Sequence, residues 1–304
     1  QFAAYPENTW LCKYATKPVS DDEALGLLEQ LLESARIVRD DVQDNSENWD
    51  RRIQWLESLI AELWKSRGAY PGMPSVLEYL GLDEAISGFR EMVERGDEQK
   101  AFSEITDFLA GKIDYLTAFH PHEDELGEIR RTIALEHDDN LPLMLNVLSR
   151  VALNKEQLSA ILSENRLENG IRAQLKEIET NPYLLAEQYT GLDGADMIRW
   201  SMVDRGMLPS PDLSASPLFK KNSRERIRAL LLETSRGNAQ QTFMPASLLI
   251  KQVNNRILAQ PEWKQNLITE KYLSVDKAFY DGAIYQRTEN DALYLYDLGR
   301  WQDE

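Results

Sequence analysis

The apolar residues of this chain repeat with a helical period almost to its end and then, once, switch to a period of two. Near the start, Ser20 followed by Glu23 has the spacing of a capping box, and Ala24, Leu25, Leu28, Leu31, Leu32, Ala35 and Val38 then recur at helical intervals. From about Asn48 a second helix places Trp49, Ile53, Leu56, Ile60, Leu63 and Trp64 on one face and stops at Arg67-Gly68. The next turn, GAYPGMPS, holds two Pro and two Gly and cannot continue it. Shorter helical patterns run through 75–81, 83–95 and 99–116. Only AIYQR (283–287) and ALYLY (292–296), separated by TEND, alternate like two strands joined by a four-residue polar turn. The pattern predicts a mainly α fold with one small β-hairpin near the C-terminus.

Two stretches look like boundaries. Residues 117–140 hold His120-Pro121-His122-Glu123 and His137-Asp138-Asp139, and RGMLPSPDLSASP (205–217) supplies three Pro and several Ser. They divide the chain into an acidic helical domain with a Trp-rich core (1–118), a helix-hairpin-helix-like helical domain (119–210) and a winged-helix-like domain (218–304). In the middle, LPLMLNVLSR and a helix opened by Asn154, with Gln157 in capping-box register, predict one helical hairpin. A helix over about 167–179 follows. Asn181 is then placed to cap the next helix, with Pro182 at its first position, and Gly191-Leu192-Asp193-Gly194 forms a turn into a further helix. In the last part, a helix opens at Ser223-Arg224-Glu225-Arg226 and ends at Arg236-Gly237. A short apolar link, FMP, leads to helices over 245–258 and about 264–280, and then to the strand pair. That is the order of a winged helix.

An apolar content of 42% is enough to bury real cores. Neither a membrane-length apolar run nor a signal peptide is visible, which predicts a cytoplasmic protein without membrane contact. The lone Cys12 excludes an internal disulfide framework and a Cys-based zinc site, in keeping with a reducing compartment. No P-loop, G-x-S-x-G or H-E-x-x-H is present, so no catalytic residue and no cofactor is assigned. A metal-dependent hydrolase would need His120, His122 and His137 to converge. Pro121 argues for an exposed loop instead, and no metal site is expected.

A net charge of −17 opposes nucleic-acid binding over the whole surface. The charge is uneven, however: residues 1–120 carry 12 Lys and Arg against 23 Asp and Glu, whereas residues 215–260 carry eight against two. The candidate DNA contacts are therefore Lys220, Lys221, Arg224, Arg228, Lys251 and Arg256, with Arg287 pointing from the wing. Gly191 and Gly194 would let backbone N–H groups approach a phosphate at a helix start, although Asp193 between them repels one. Tyr272, Tyr280, Tyr285, Tyr294 and Tyr296 have rings able to stack on bases, but strand alternation explains them more simply as half-buried packing.

The order of these motifs resembles a known family. A helical hairpin, E-x-NPYLLAE with a Gly turn, RIRALLLET, TFMPASLLIKQV and a strand pair ending ALYLYDLGRWQDE are similar, over about 141–304, to the region preceding the motor in RecD-like DNA helicases (exodeoxyribonuclease V alpha-subunit-like). ELWKSRGAYPGMPSVLEYLG (62–81) resembles an N-terminal domain of large helicases of this type. The family's turn runs Gly-apolar-Gly with a Lys further on; here Asp193 stands at the second Gly position and the turn is shorter. The resemblance implies a non-catalytic DNA-binding and strand-positioning region, with DNA met through 215–260 and ATP hydrolysis supplied by a motor outside this chain. The acidic N-terminal domain would meet that motor or a protein partner. The alternative is a helical protein-interaction module with no DNA contact.

Overall fold

Two capping signals fold as their residues dictate and place everything between them. In the computed structural model, which describes residues 19–41, 48–116, 123–191, 197–237, 243–257 and 268–299 (side chains of 123–125, 256 and 257 excepted), α1 (Asp21–Asp41) and α2 (Trp49–Arg67) form an antiparallel hairpin. The Asn48 side chain accepts the Arg51 N–H at 3.0 Å, and Gly68 ends α2 at φ 70°, donating to the Trp64 carbonyl at 3.0 Å. A second constraint acts on Gly68: the Glu98 carboxylate accepts the N–H groups of Ala69 (2.8 Å) and Tyr70 (3.0 Å), and a Cβ on Gly68 would lie 2.3 Å from it. Leu32, Ala35, Ile53 and Leu56 form a small core of their own between the two helices.

The turn GAYPGMPS is a joint as well as a stop. Gly72 donates to the Ser149 carbonyl at 2.8 Å, and a Cβ there would lie 2.2 Å from the Val151 carbonyl oxygen. Close backbone contact thus seats α3 (Met73–Tyr79) against the segment 148–151. Helices α4 (Ala85–Arg95), α7 (Leu141–Asn146) and α8 (Lys155–Leu162) pack against α3, with α5 (Glu98–Leu109) on α4 and α6 (Glu123–Glu136) on α5. The Asn154–Gln157 capping box at the start of α8 forms in both directions. The expected Trp-rich core does not: Trp55 is 59% exposed and Trp49 lies at the edge of the hairpin core, while Tyr70, Met73, Val76, Leu77, Phe89, Ile105 and Phe108 fill the interior.

Neither expected boundary is a free linker within the described residues. Much of 117–140 is α6, with Leu126 and Ile133 buried. In 205–217, Met207 and Ala215 are buried, the Leu218 N–H donates to the Met207 carbonyl at 2.9 Å, and Arg150 Nη1 donates to the Ser216 carbonyl at 2.9 Å. One connected core takes in residues from Ala69 to Leu295. Proline and serine mark these stretches as non-helical, but their backbone groups still find partners on the core.

The middle departs from the periodicity in detail. In place of a helix over 167–179 there is a 3-10 turn at Arg166–Asn169 and then α9 (Leu175–Thr180). Asn181 ends α9, its N–H bonded to the Glu177 carbonyl at 2.7 Å, while its side-chain oxygen accepts no N–H and so does not cap the next helix, and α10 (Leu184–Gln188) starts after a turn at Pro182-Tyr183. Gly191 has φ 68°; residues 192–196, including Gly194, lie outside the described residues, and α11 (Trp200–Met207) follows.

The C-terminal order is α12 (Arg224–Gly237), β1 (Phe243–Pro245), α13 (Ala246–Ile257), α14 (Glu270–Val275), α15 (Lys277–Tyr280), β2 (Ile284–Glu289) and β3 (Ala292–Asp297). The strands form an antiparallel sheet in the order β1-β3-β2, one strand more than expected. FMP is that strand, pairing Phe243 with Tyr296 and Pro245 with Tyr294. The hairpin is tighter than expected, because Asn290 and Asp291 adopt φ 49° and 64° as a two-residue turn demands. The chain is mainly α with a small three-stranded sheet, and no helix among the described residues is long and apolar enough to cross a membrane.

Candidate nucleic-acid interface

Helix α12 decides where the basic residues go. It is enclosed on nearly all sides: Arg226 through Leu232, Thr234 and Ser235 are buried, so alternate arginines cannot all reach solvent. Arg226 donates through Nε and Nη2 to the two Asp204 oxygens on α11, at 2.5 and 2.7 Å. Tyr183 Oη donates to the same carboxylate at 2.8 Å. Arg228 makes a matching fork with Glu187 on α10, at 3.0 and 2.9 Å, and donates to the Phe279 carbonyl at 3.1 Å. Arg236 joins Asp297 of β3 at 2.6 Å and the Glu187 carbonyl at 2.7 Å.

These pairs explain two of the sequence's most distinctive stretches. Tyr183 and Glu187 come from NPYLLAE, Arg226 and Arg228 from RIRALLLET; Tyr183 and Arg226 meet at Asp204 and Arg228 meets Glu187, so the two stretches are halves of one lock. Fork geometry satisfies both charges of each pair, which a buried ion pair requires. Burial pushes the Glu187 carboxyl up from its ordinary value against the pull of Arg228 and Arg236. Burial, with Asp204 beside it, raises the Tyr183 phenol well above its own. Burial opposes the charge of Arg226, yet its guanidinium is held above its ordinary value, because Asp204 and Tyr183 together outweigh that cost.

Arg228 is therefore corrected as a DNA contact: its guanidinium is buried and fully engaged, 4.0 Å over the Phe279 ring. Arg224 faces outward, shared between Glu225 (3.1 Å) and Asp276 (3.4 Å), with its guanidinium 4.6 Å from the Phe279 ring. Lys220 and Lys221 are exposed in the turn before α12, Lys251 is exposed on α13, and Arg287 is exposed on β2 beside Glu289. The Arg256 side chain and Gly194 lie outside the described residues. Gly191 is partly buried at the end of the described part of its turn. Of the histidines, His120 and His122 also fall outside, and the His137 ring packs 5.2 Å from Tyr79. Among the described residues no group of three His, Cys, Asp or Glu is placed to hold a metal ion.

A cleft of about 800 Å3 between α1 and α11 is lined by Asp22, Glu23, Glu29 and Glu233 against Arg199 and Arg205. Carboxylates dominate its charge, which disfavours phosphate. Here Arg205 of α11 bonds Glu29 and the Asp22 carbonyl, both at 2.9 Å, which ties the α1–α2 hairpin to the body, while Arg67 joins the two helices of the hairpin through Asp22 at 2.7 Å.

Sequence reasoning named Tyr285, Tyr294 and Tyr296 as half-buried packing but missed that Phe243 joins them on the outward face of the sheet. Strand alternation sends Met244, Ile284 and Leu295 to the core, whereas the register sets Phe243, Tyr296 and Tyr285 side by side across β1, β3 and β2, with Tyr294 opposite Arg287. Phe243 is 46% and Tyr285 45% exposed. The signal was present in the alternation of ALYLY, but the row needs β1, whose partner strand lies some fifty residues further on.

No family model matches the chain, and no solved structure matches it. It is 25% identical over 240 residues to an uncharacterized protein of Methanocaldococcus jannaschii, a match covering 71% of this chain and 19% of that protein. The chain thus spans about a fifth of the length of the relative it resembles.

Proposed function

We propose that this chain is a DNA-binding and strand-positioning region of a RecD-like helicase, with ATP hydrolysis supplied outside it. The observation that carries the reading is the C-terminal order α12–β1–α13–α14–α15–β2–β3 with its sheet in the order β1-β3-β2. This arrangement, following NPYLLAE and opening with RIRALLLET in α12, supports a winged helix placed as in that family. The residues assigned to DNA are Lys220, Lys221, Arg224, Lys251 and Arg287, all exposed; Arg228 is withdrawn. Phosphate contact by these cations makes binding salt-dependent. Fluorescence anisotropy with labelled duplex and single strands, at low and at physiological salt, tests this. Binding at low salt that weakens with salt and is lost in Lys220→Glu with Lys221→Glu and Arg224→Glu is the expected result; no binding at low salt overturns the reading.

A second reading, a helical protein-interaction module without DNA contact, is favoured by one observation. Three of the eight basic residues of 215–260, Arg226, Arg228 and Arg236, are spent on internal ion pairs. The same titration separates the two, since the module predicts no anisotropy change with any strand.

A further inference from the structure

The aromatic face of the small sheet is carried by other elements than the cations assigned to DNA before and on α12 and on α13. Phe243, Tyr296 and Tyr285 form one row across the three strands, and Tyr294 lies two residues along β3 from Tyr296. Phe243 lies near-parallel to Tyr296 with ring centroids 5.3 Å apart; Tyr285 meets Tyr296 edge-on at 5.8 Å, and Phe243 meets Tyr294 edge-on at 5.9 Å. At about 4.8 Å per strand, the row is roughly 10 Å across. Burying such rings is the ordinary outcome of strand alternation, and the aliphatic residues of the same strands do go inward. Phe243 and Tyr285 nonetheless stay close to half exposed.

We propose that this face, Phe243, Tyr285, Tyr294 and Tyr296 with Arg287, is a stacking platform for the unpaired bases of single-stranded DNA. The inference rests on the DNA-binding reading and gives it a substrate class. Three observations favour bases over a peptide. The row is made of rings alone, and every base has a π-face to lay on one, whatever the sequence. Of the two sheet edges, β1 is three residues long and ends in Pro245, which lacks an N–H, and β2 carries exposed Arg287 and Glu289, charged side chains that discourage strand addition. Arg287, opposite Tyr294, brings a cation to the same face. Its bond to Glu289 joins two exposed side chains, a kind of pair that yields to a competing phosphate at little cost.

The test uses the 304-residue chain and three probes: a labelled thymidine strand, an equally long abasic strand that keeps the phosphates but has no bases, and a blunt duplex. The thymidine strand is expected to bind about tenfold or more tighter than the abasic one. In Phe243→Ala with Tyr285→Ala that preference disappears while duplex affinity is unchanged. Phe243→Leu, which keeps the apolar bulk and removes the ring, lowers the preference as well. Both rings are near half exposed, so melting by circular dichroism should match the parent and exclude a folding defect. If the parent binds duplex but treats thymidine and abasic strands alike, or if the ring variants keep the preference, the platform is refuted and the DNA reading stands. If the parent binds none of the probes, both fall together.

Discussion

Arg226 and Arg228 lie within a few residues of Lys220, Lys221 and Arg224, yet the two groups do opposite work. The inner pair is buried, with each guanidinium forked onto one carboxylate; the outer group lies in or beside an exposed turn. A basic segment read as one surface is in fact two. Local charge density therefore overstates the cations available to a phosphate, because a buried arginine is already neutralised by its partner. The two groups should respond differently: the inner one governs stability, and on the proposed DNA-binding reading the outer one governs affinity.

The sharpest way to break that contrast is Arg226→Met. It leaves Asp204 buried without its cation and should cost about 3–5 kcal/mol in urea unfolding; a near-neutral result would mean that the pair is not buried as described. Combining it with Asp204→Leu and Tyr183→Phe should recover most of the loss, since a well-packed apolar cluster replaces the buried ion pair and no Tyr183 hydroxyl is left without its acceptor. Arg236→Met sits between the groups, being partly exposed and bonded to Asp297 and the Glu187 carbonyl. A loss of about 1–3 kcal/mol is expected there. Lys220→Glu with Lys221→Glu should change stability by no more than about 0.5 kcal/mol. The log–log slope of DNA affinity against salt should meanwhile become shallower by about one for each phosphate that the variant no longer neutralises.

The smallest effect is a pH dependence. The Glu187 carboxyl is raised above its ordinary value of 4.5 by burial, so the folded chain holds that proton more tightly than the unfolded chain. Its contribution to stability is fully present below the unfolded value and is lost as pH rises through the folded one. Over that window the parent should lose more stability than Glu187→Gln, measured by urea midpoints at matched pH.

Much of the helical frame was legible in local chemistry. Asn48 and Gly68 bounded α2, and Asn154 with Gln157 opened α8, because caps and turns are settled by groups a few residues apart. The same logic failed at Asn181, which ends α9 through its N–H to the Glu177 carbonyl while its side-chain oxygen caps no helix. It failed also at 205–217, where turn-forming residues suggested a linker but their backbone is bonded to Arg150 and Ala215 is packed into the core. For the candidate site, Lys220, Lys221, Lys251 and Arg287 could be read from charge alone. That Arg228 turns inward, and that Phe243 completes an aromatic row, could not.

By itself, then, the sequence determined the mainly helical character, the change to strands near the C-terminus and the places where helices must stop. Those depend on side-chain period and backbone chemistry within a turn or two. Only the tertiary structure decided which arginines face water and which rings lie on the outside of the sheet. An enclosed helix such as α12 has no wet face for a pattern to reveal. A three-residue strand such as β1 has no identity until Tyr294 and Tyr296, some fifty residues away, pair with it.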